Sequence, residues 1–217
     1  MISPSGSPQP YNGGSPVVGP DAIFFNRFGA GRTTAIFRWV APGPQEPWRV
    51  EPDPGTKAAS SFATDGKDMV WLENGFGDAS APSDLSIPFT HRYLVTAKYG
   101  EKGAPVDPRQ LTRDPGVYAT DYAVYCGHAA RLLEADKPDG TRYQALFLVR
   151  LTDGRNWTLE STGFEPPTQR WSWLGAVALT CDEIMVGVVG PTILPAPSAS
   201  TIVRVRLDSL GPGRPAE

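Results

Sequence analysis

The sequence offers few residues for metal or acid–base chemistry and no long apolar segment. Its 217 residues include two histidines and two cysteines, too few for a repeated ligand set. No run of about 18 apolar residues occurs, so no transmembrane span is expected. Basic and acidic residues are balanced, 20 against 23, with no basic stripe of the kind that binds nucleic acid. We therefore expect no metal, no cofactor, no nucleic-acid partner and no membrane-spanning segment.

Glycine and proline, by contrast, are abundant, with 23 of each, and this excess is typical of a chain with many turns. Helical spacing of apolar residues fails everywhere except in "HAARLLEA" (128–135). The remaining apolar segments are short, rich in β-branched and aromatic residues, and bounded by turn formers. They cover residues 22–28, 34–40, 68–73, 92–99, 122–126, 145–151, 175–180, 183–189 and 201–207. The pattern predicts an all-β fold.

These segments recur with a period. Glycines 43, 100, 154 and 211 each follow an equivalent strand, at spacings of 57, 54 and 57 residues. Threonines 64, 120 and 180, each next to an acidic turn, are 56 and 60 residues apart. A unit of this length with four short strands favours a β-propeller blade. A two-sheet sandwich or another β-barrel remains the alternative.

About four blades are visible, each a four-stranded antiparallel sheet. In each cycle, a first strand ends in the Thr-Asp turn, a third strand ends at the marked glycine, and a more polar fourth strand lies outermost. The last cycle stops after its third strand, because "GPGRPAE" (211–217) is unsuited to a fourth. The chain is therefore either a small ring, in which residues 16–18 supply the missing outer strand, or part of a larger ring.

Three segments carry a family resemblance. "ATDGKDMVW" (63–71), "ALFLVRLTDG" (145–154) and "TIVRVRLDSLG" (201–211) resemble the degenerate propeller repeats of exported bacterial proteins, broadly TolB-like, many of them uncharacterised lipoproteins. The resemblance covers about residues 18–211 and its motifs are short. It implies a propeller scaffold and a location in the cell envelope or outside the cell, with the cytoplasm as the alternative. It carries over no catalytic residue.

The domain organisation follows from the repeats. Residues 1–16 form a lead rich in serine, proline and glycine, which is expected to be disordered. Residues 17–211 form the propeller repeats, and residues 212–217 form a tail.

Candidate binding residues are expected on the long connections between second and third strands, because unusually long loops are common places for binding. These connections are predicted at 73–91, 127–142 and 190–200. The residues concerned are His91, Arg92, His128, Arg131, Asp136 and Asp139. Both histidines are expected at the edges of these loops, and solvent exposure or turn packing is the competing interpretation.

Recurring acidic residues are predicted to stabilise turns. Asp65, Asp121 and Asp182 fall at repeated turn positions, where a carboxylate accepts bonds from backbone N–H groups. Asp153 and Trp157, in "LTDGRNW", resemble the Asp-box turn of sialidase-like propellers, which is structural. No nucleophile elbow, metalloprotease helix or phosphate-binding loop occurs.

The two cysteines permit one disulfide in an exported protein. Cys126 is predicted late in a second strand, whereas Cys181 is predicted in the turn before one. These positions lie towards opposite ends of their sheets, beyond the reach of about 7 Å between Cα atoms. Two buried free cysteines are therefore expected.

The predicted function is a non-catalytic propeller domain that binds a protein or carbohydrate partner through its loops. Two alternatives are a propeller-type glycan hydrolase or lyase and a purely structural envelope protein. The enzyme would need carboxylates and histidines from several blades to converge in one pocket.

Overall fold

The chain folds into antiparallel β-sheets that follow one another along the sequence. The computed structural model describes residues 16–28, 34–41, 48–49, 57–75, 91–115, 118–119, 122–136, 142–160, 172–189 and 200–216. Within these ranges there are two short 3₁₀ segments, Glu101–Gly103 and Leu207–Ser209, and no α-helix. No helix in this part of the chain is long and apolar enough to cross a membrane. The all-β prediction is confirmed.

The first two sheets have four strands each, and each strand pairs with its neighbour in the sequence. Sheet 1 contains β1 (Val17–Val18), β2 (Ile23–Phe28), β3 (Thr34–Trp39) and β4 (Trp48–Arg49). Sheet 2 contains β5 (Lys57–Thr64), β6 (Asp68–Gly75), β7 (His91–Tyr99) and β8 (Pro105–Arg113). Each of the two cycles therefore forms one sheet, as predicted.

The last two sheets repeat this order with local differences. Sheet 3 contains β9 (Tyr118–Ala119), β10 (Ala123–Tyr125), β11 (His128–Asp136), β12 (Arg142–Arg150) and β13 (Asn156–Glu160). Strands β9 and β10 both pair with β11, so they act as one interrupted first strand. Sheet 4 contains β14 (Ser172–Leu179), β15 (Glu183–Val189) and β16 (Ser200–Arg206).

One backbone hydrogen bond identifies equivalent positions in sheets 2, 3 and 4. The N–H group at the end of the third strand donates to a carbonyl in the turn before the second strand. The pairs are Tyr99 to Lys67 at 2.9 Å, Leu151 to Gly127 at 2.8 Å and Leu207 to Asp182 at 2.8 Å. The repeat predicted from glycine spacing is therefore present in the hydrogen bonds.

The third cycle corrects the predicted order of strands. Residues 128–136 form the second strand β11, although they were expected to lie in a long loop. The segment 122–126, expected to be the second strand, is the end of the first strand and enters the turn at Cys126. The turn equivalent to residues 65–67 of sheet 2 contains Cys126 and Gly127, and Thr120 and Asp121 lie outside the described residues.

The first strands of sheets 2, 3 and 4 share an irregularity. Pairing shifts between Ser60 and Ala63 in β5, and between Trp173 and Val177 in β14. In sheet 3, the gap between β9 and β10 falls at the corresponding place. A bulge bends a strand and increases its local twist. In sheets 2 and 4, this shift lies two or three residue pairs from the turn that ends the first strand.

The two ends of the chain also differ from the prediction. Val17 and Val18 pair with β2, so they form the first strand of sheet 1 and not the missing outer strand of the last sheet. As predicted, the residues after β16 do not form a fourth strand in sheet 4. They reach sheet 3 instead, where Arg214 and Asn156 exchange two backbone hydrogen bonds of 2.8 and 2.9 Å.

The sheets form two compact units, Met1–Asp114 and Pro115–Glu217. In the first unit, sheets 1 and 2 pack through a buried cluster that includes Phe24, Ile36, Met69 and Trp71. In the second unit, sheets 3 and 4 pack through a cluster that includes Leu132, Leu146, Ile184 and Val186. Both cores lie between adjacent sheets, which explains why each of these sheets carries an apolar face.

Candidate functional site

Each sheet has two chemically distinct ends. At the short-turn end, tight turns join the first strand to the second and the third to the fourth. In sheet 2 these turns are residues 65–67 and 100–104. At the opposite end, which we call the long-connection end, the second strand leads to the third through residues 76–90 in sheet 2 and 190–199 in sheet 4. In sheet 3 the corresponding connection is only residues 137–141, because most of the long loop predicted at 127–142 is the strand β11. These connections lie outside the described residues, but the strands that carry them are described.

The turn of sheet 2 at residues 64–68 uses its polar side chains for backbone hydrogen bonds. The carboxylate of Asp65 accepts from the N–H groups of Lys67 at 2.9 Å and Asp68 at 2.8 Å. The Thr64 hydroxyl donates to the carbonyl of Asp68 at 2.7 Å. Gly66 has φ of 84°, a conformation that favours glycine. Asp65 thus has the turn-stabilising contacts predicted for it.

In the equivalent turn of sheet 4, a different side chain accepts the backbone hydrogen bonds. The Thr180 hydroxyl accepts from the N–H groups of Asp182 at 3.3 Å and Glu183 at 2.9 Å. The predicted acceptor was the carboxylate of Asp182, so at this turn a hydroxyl replaces the carboxylate. The backbone carbonyl of Asp182 instead accepts a hydrogen bond from the N–H group of Leu207.

The turn between β12 and β13 is organised by Asp153. Its carboxylate accepts from Nε of Arg150 at 2.9 Å and from the N–H of Arg155 at 3.2 Å. The hydrogen bond and charge of Arg150 hold the pKa of Asp153 well below its usual range. Trp157 donates from Nε1 to the carbonyl of Gly211 at 2.8 Å, which anchors the C-terminal segment. These contacts agree with the structural role expected for this motif.

In the first unit, hydrogen bonds connect the two sheets at the short-turn end. The Tyr99 hydroxyl donates to Asp21 at 2.6 Å, and the N–H of Lys102 donates to the same carboxylate at 2.9 Å. Arg38 donates to the carbonyls of Glu101 and Lys102. Burial, reinforced by the hydrogen bond to Asp21, raises the pKa of Tyr99 to about 12. Tyr99 therefore remains a proton donor to Asp21 across the neutral range.

In the second unit, a disulfide connects the two sheets at the short-turn end. Cys126 and Cys181 are bonded, with their Cα atoms 5.2 Å apart. The expectation of two free, buried cysteines is therefore wrong, and both residues are exposed. The error follows from the strand order of the third cycle. Cys126 lies in the turn before β11, so it is equivalent to Cys181 in the turn before β15.

His128 lies next to this disulfide and not at a long loop. It begins β11, and its Nδ1 is 3.1 Å from the carbonyl oxygen of Cys126. Burial is the main reason that the pKa of His128 lies below the usual value, although the contact with Cys126 opposes the shift. His128 and Asp136 begin and end the nine-residue strand, a separation of roughly 26 Å at the usual rise per residue.

Arg131 also lies away from the position expected for it. It is in the middle of β11, is 1% exposed and has its guanidinium carbon 4.9 Å from the centre of the Tyr122 ring. A cation over an aromatic face is favourable, and more so when it is desolvated. An interior position is better suited to packing than to direct contact with a partner, so the loop location predicted for Arg131 is wrong.

The remaining predicted binding residues do fall at the long-connection end. His91 and Arg92 begin β7, where they pair with Gly75 and Asn74 of β6. Asp136 ends β11 and pairs with Arg142. Asp139 and Asp121 lie outside the described residues. The structure thus places His91 and Arg92 together on sheet 2 and Asp136 at the same kind of end on sheet 3.

Neither link between sheets was predicted from the sequence. No local motif marks the contact of Tyr99 with Asp21, because the two residues are far apart in sequence. The disulfide could have been predicted, because both cysteines lie in equivalent turns once β11 is recognised as a strand. Within the described residues, no group of three or more His, Cys, Asp and Glu side chains could hold a metal ion.

Comparison with known proteins gives likenesses to solved structures but no family. No family model and no curated protein matches the chain. Among solved structures, a puromycin hydrolase mutant complexed with PGG is similar with a TM-score of 0.41 and 14% identity. The likeness covers 89% of this chain and 36% of the hydrolase chain, so this chain spans about a third of the hydrolase's length.

Proposed function

We propose that the chain is a non-catalytic binding domain that presents its long second-to-third connections to a protein or carbohydrate partner outside the cytoplasm. The contrast between the two ends of each sheet carries this proposal. At the short-turn end, polar side chains such as Asp65, Thr180 and Asp153 already bind backbone groups of their own turns. The connections 76–90 and 190–199 are much longer than these turns, and long loops on a rigid scaffold commonly carry binding.

The first strands give further support to a non-catalytic role. In a propeller, first strands lie nearest the axis, where a glycan hydrolase would place its acid and base. The described first strands β1, β5, β9, β10 and β14 contain no aspartate, glutamate or histidine. A hydrolase would need to supply these groups from elsewhere in the chain.

The disulfide supports a location outside the cytoplasm. Disulfides persist in oxidising compartments and are rare where thiols are kept reduced. Both cysteines are exposed, so cytoplasmic reductants would reach the bond. This location agrees with the exported, envelope-associated proteins that the repeats resemble.

A panel of soluble plant, fungal and bacterial polysaccharides tests the carbohydrate form of the proposal by affinity electrophoresis. A variant in which residues 77–89 are replaced by a Gly-Ser segment of equal length should lose retention on any polysaccharide that retards the intact chain. Lys67→Ala, at the short-turn end, is the matched control and should bind normally.

The same panel separates the alternatives. Release of new reducing ends would favour the hydrolase and contradict a non-catalytic role. Equal retention of the loop variant and the intact chain would place binding elsewhere and contradict the proposed surface. No retention on any polysaccharide would leave a protein partner as the remaining form of the proposal.

A further inference from the structure

The disulfide of the second unit lies where a reductant can reach it. It joins two short turns, one between β10 and β11 with Cys126 and the other between β14 and β15 with Cys181. Both cysteines are exposed. Thiol–disulfide exchange begins when a thiolate attacks one of the two sulfur atoms, so its rate depends on access to them. This disulfide is therefore open to exchange while the chain stays folded.

The backbone at Cys126 suits other residues better than cysteine. Tyr125 pairs directly with His128, and the two residues between them, Cys126 and Gly127, have φ of 48° and 72°. Positive φ at both central residues is typical of the type I′ hairpin turn, in which asparagine followed by glycine is preferred. Residues with a Cβ rarely adopt this conformation, and Asn, Asp and His account for much of its use. The bond made by its sulfur, and not the shape of the turn, explains a cysteine at this position.

The two sheets of the second unit are also joined without the disulfide. Sheets 3 and 4 share the buried apolar cluster described above. The segment after β16 adds polar contacts with sheet 3. Trp157 donates to the carbonyl of Gly211 at 2.8 Å, and Arg155 donates to the carbonyl of Pro212 at 2.5 Å. Loss of the covalent bond should therefore loosen the junction and leave the fold intact.

The first unit shows that a junction of this kind forms without a disulfide. Sheets 1 and 2 pack through an apolar cluster and share the hydrogen bond from Tyr99 to Asp21. Both cysteines of the sequence lie in the second unit. Structural disulfides typically resist reduction, whereas exposed ones are commonly the labile or regulatory ones. An exposed bond at a junction that has other contacts therefore favours a reversible role.

The disulfide and the C-terminal segment hold different strands of sheet 4. The disulfide fixes the turn 180–182, between β14 and β15, to the turn before β11. The segment after β16 is anchored on the beginning of β13. Reduction should therefore free the turn between β14 and β15, while the segment after β16 keeps its contacts. The change is local and lies within the second unit.

We propose that the Cys126–Cys181 bond is a site of reversible thiol–disulfide exchange, reduced by a protein that carries a pair of reactive thiols, and that reduction releases the β14–β15 turn from sheet 3. Tyr125, 48% exposed, is the residue before Cys126 and offers a large contact surface for a protein, since tyrosine is enriched at protein interfaces. The reaction is a transient encounter at the short-turn end, separate from the partner binding assigned to the long connections.

Two exchange steps complete the reduction. A thiolate of the dithiol protein attacks one of the two sulfur atoms, a mixed disulfide forms, and the other cysteine leaves as a thiolate that takes a proton. The second thiolate of the dithiol protein then attacks its own neighbour in the mixed disulfide. This step closes a disulfide in that protein and releases the remaining cysteine, which also takes a proton. Two electrons and two protons pass to the chain, and an oxidised dithiol reverses the reaction.

Thioredoxin, kept reduced by its reductase and NADPH, serves as the test dithiol, and free thiols are counted on gels after reaction with a polyethylene-glycol maleimide. The folded, oxidised chain should gain two thiols about tenfold faster with thioredoxin than with glutathione at equal thiol concentration. Tyr125→Ser should slow the reaction with thioredoxin about fivefold and leave reduction by dithiothreitol unchanged. Ile202→Ser, at an exposed residue of β16 in the same unit, is the matched control and should react like the intact chain.

Three results would overturn the proposal. Reduction only after addition of urea would show that the folded chain protects the bond. Loss of the circular dichroism spectrum on reduction would show that the bond is a requirement of the fold. Equal rates with thioredoxin and glutathione would overturn the assignment to a protein dithiol.

Amide hydrogen exchange tests the release of the turn. Exchange in β14 and β15 should accelerate when the folded chain is reduced and should return to its original rate after reoxidation. Unchanged exchange in a chain whose two thiols are free would contradict the release. Binding of a partner by the long connections is measured on the oxidised chain, so its failure would be distinguishable from failure of this proposal.

Discussion

At the scale of single residues, two aspartates with the same predicted role have different contacts. Asp65 accepts two backbone N–H groups in the turn before β6. In the turn before β15, Thr180 accepts the corresponding N–H groups and Asp182 contributes only its backbone. A recurring acidic residue therefore marks a recurring turn, but the group that stabilises the turn can change between cycles.

Asp65→Ala should lower the free energy of unfolding by about 1–2 kcal/mol, because it leaves two N–H groups without their acceptor. Asp182→Ala should change it by less than about 0.5 kcal/mol, as expected for a surface substitution. Urea unfolding followed by fluorescence measures both values. Equal losses for the two variants would contradict the assignment of Thr180 as the acceptor in sheet 4.

His128 should make the stability of the second unit depend on pH. Burial lowers its pKa in the folded state, whereas the unfolded value is about 6.5. The unfolded chain therefore binds more protons, so the contribution is complete above about pH 6.5 and declines as the pH falls below it. Asp153, with its lowered pKa, acts only at lower pH, around and below the usual aspartate value of about 4.

Between pH 7 and 5, the Tm of the intact chain should fall more than that of His128→Gln. His91→Gln changes the other histidine of the sequence, and this control should keep the full dependence. Differential scanning fluorimetry at a series of pH values gives the comparison. Parallel curves for the intact chain and His128→Gln would show that another group is responsible.

At the scale of elements, the strand β11 explains the main errors of the sequence analysis. Ala129, Arg131 and Leu133 are buried on one face, and Ala130 and Leu132 are buried on the other. A strand buried on both faces has no alternation of polar and apolar residues, so its pattern also satisfies helical spacing. The misassigned strand moved Cys126 to the wrong place and led to the wrong expectation for the disulfide.

The disulfide should stabilise sheet 4 against sheet 3. It joins residues 55 positions apart, for which loop entropy gives about 4 kcal/mol. In the double variant Cys126→Ser/Cys181→Ser, amide hydrogen exchange should accelerate in β14, β15 and β16. Exchange in β6 and β7 of the first unit serves as the internal control and should not change. Unchanged exchange in sheet 4 would show that its apolar contacts and the C-terminal segment suffice.

At the scale of the whole molecule, the sequence predicts the class and the repeat well. Outside the third cycle, the strand segments agree with the structure, as do the glycines at 100, 154 and 211 and, within the described residues, the absence of a fourth strand after β16. Contacts between sheets could not be predicted, because they depend on which faces meet. Trp39 and Trp71 show this limit, since both are strand tryptophans but one is 36% exposed and the other is fully buried.

The candidate site was predicted less completely. His91 and Arg92 were placed correctly where the connection 76–90 meets β7, because turn-forming residues mark that end in the sequence. Asp136 was expected within a loop but is the last residue of β11. His128 and Arg131 were misplaced with β11. Assignment of a partner requires the chemistry of the connections themselves, and sequence periodicity contains no information on that chemistry.

The central claim is that partners bind at the long-connection end and not at the short-turn end. Site-specific photo-cross-linking compares the two ends directly, with a benzophenone amino acid at Ser83, in the connection 76–90, or at Lys67, in the short turn of the same sheet. In cells of the organism that produces the chain, Ser83 should give a defined adduct, and Lys67 should give none. A defined adduct from Lys67 with none from Ser83 would contradict the claim.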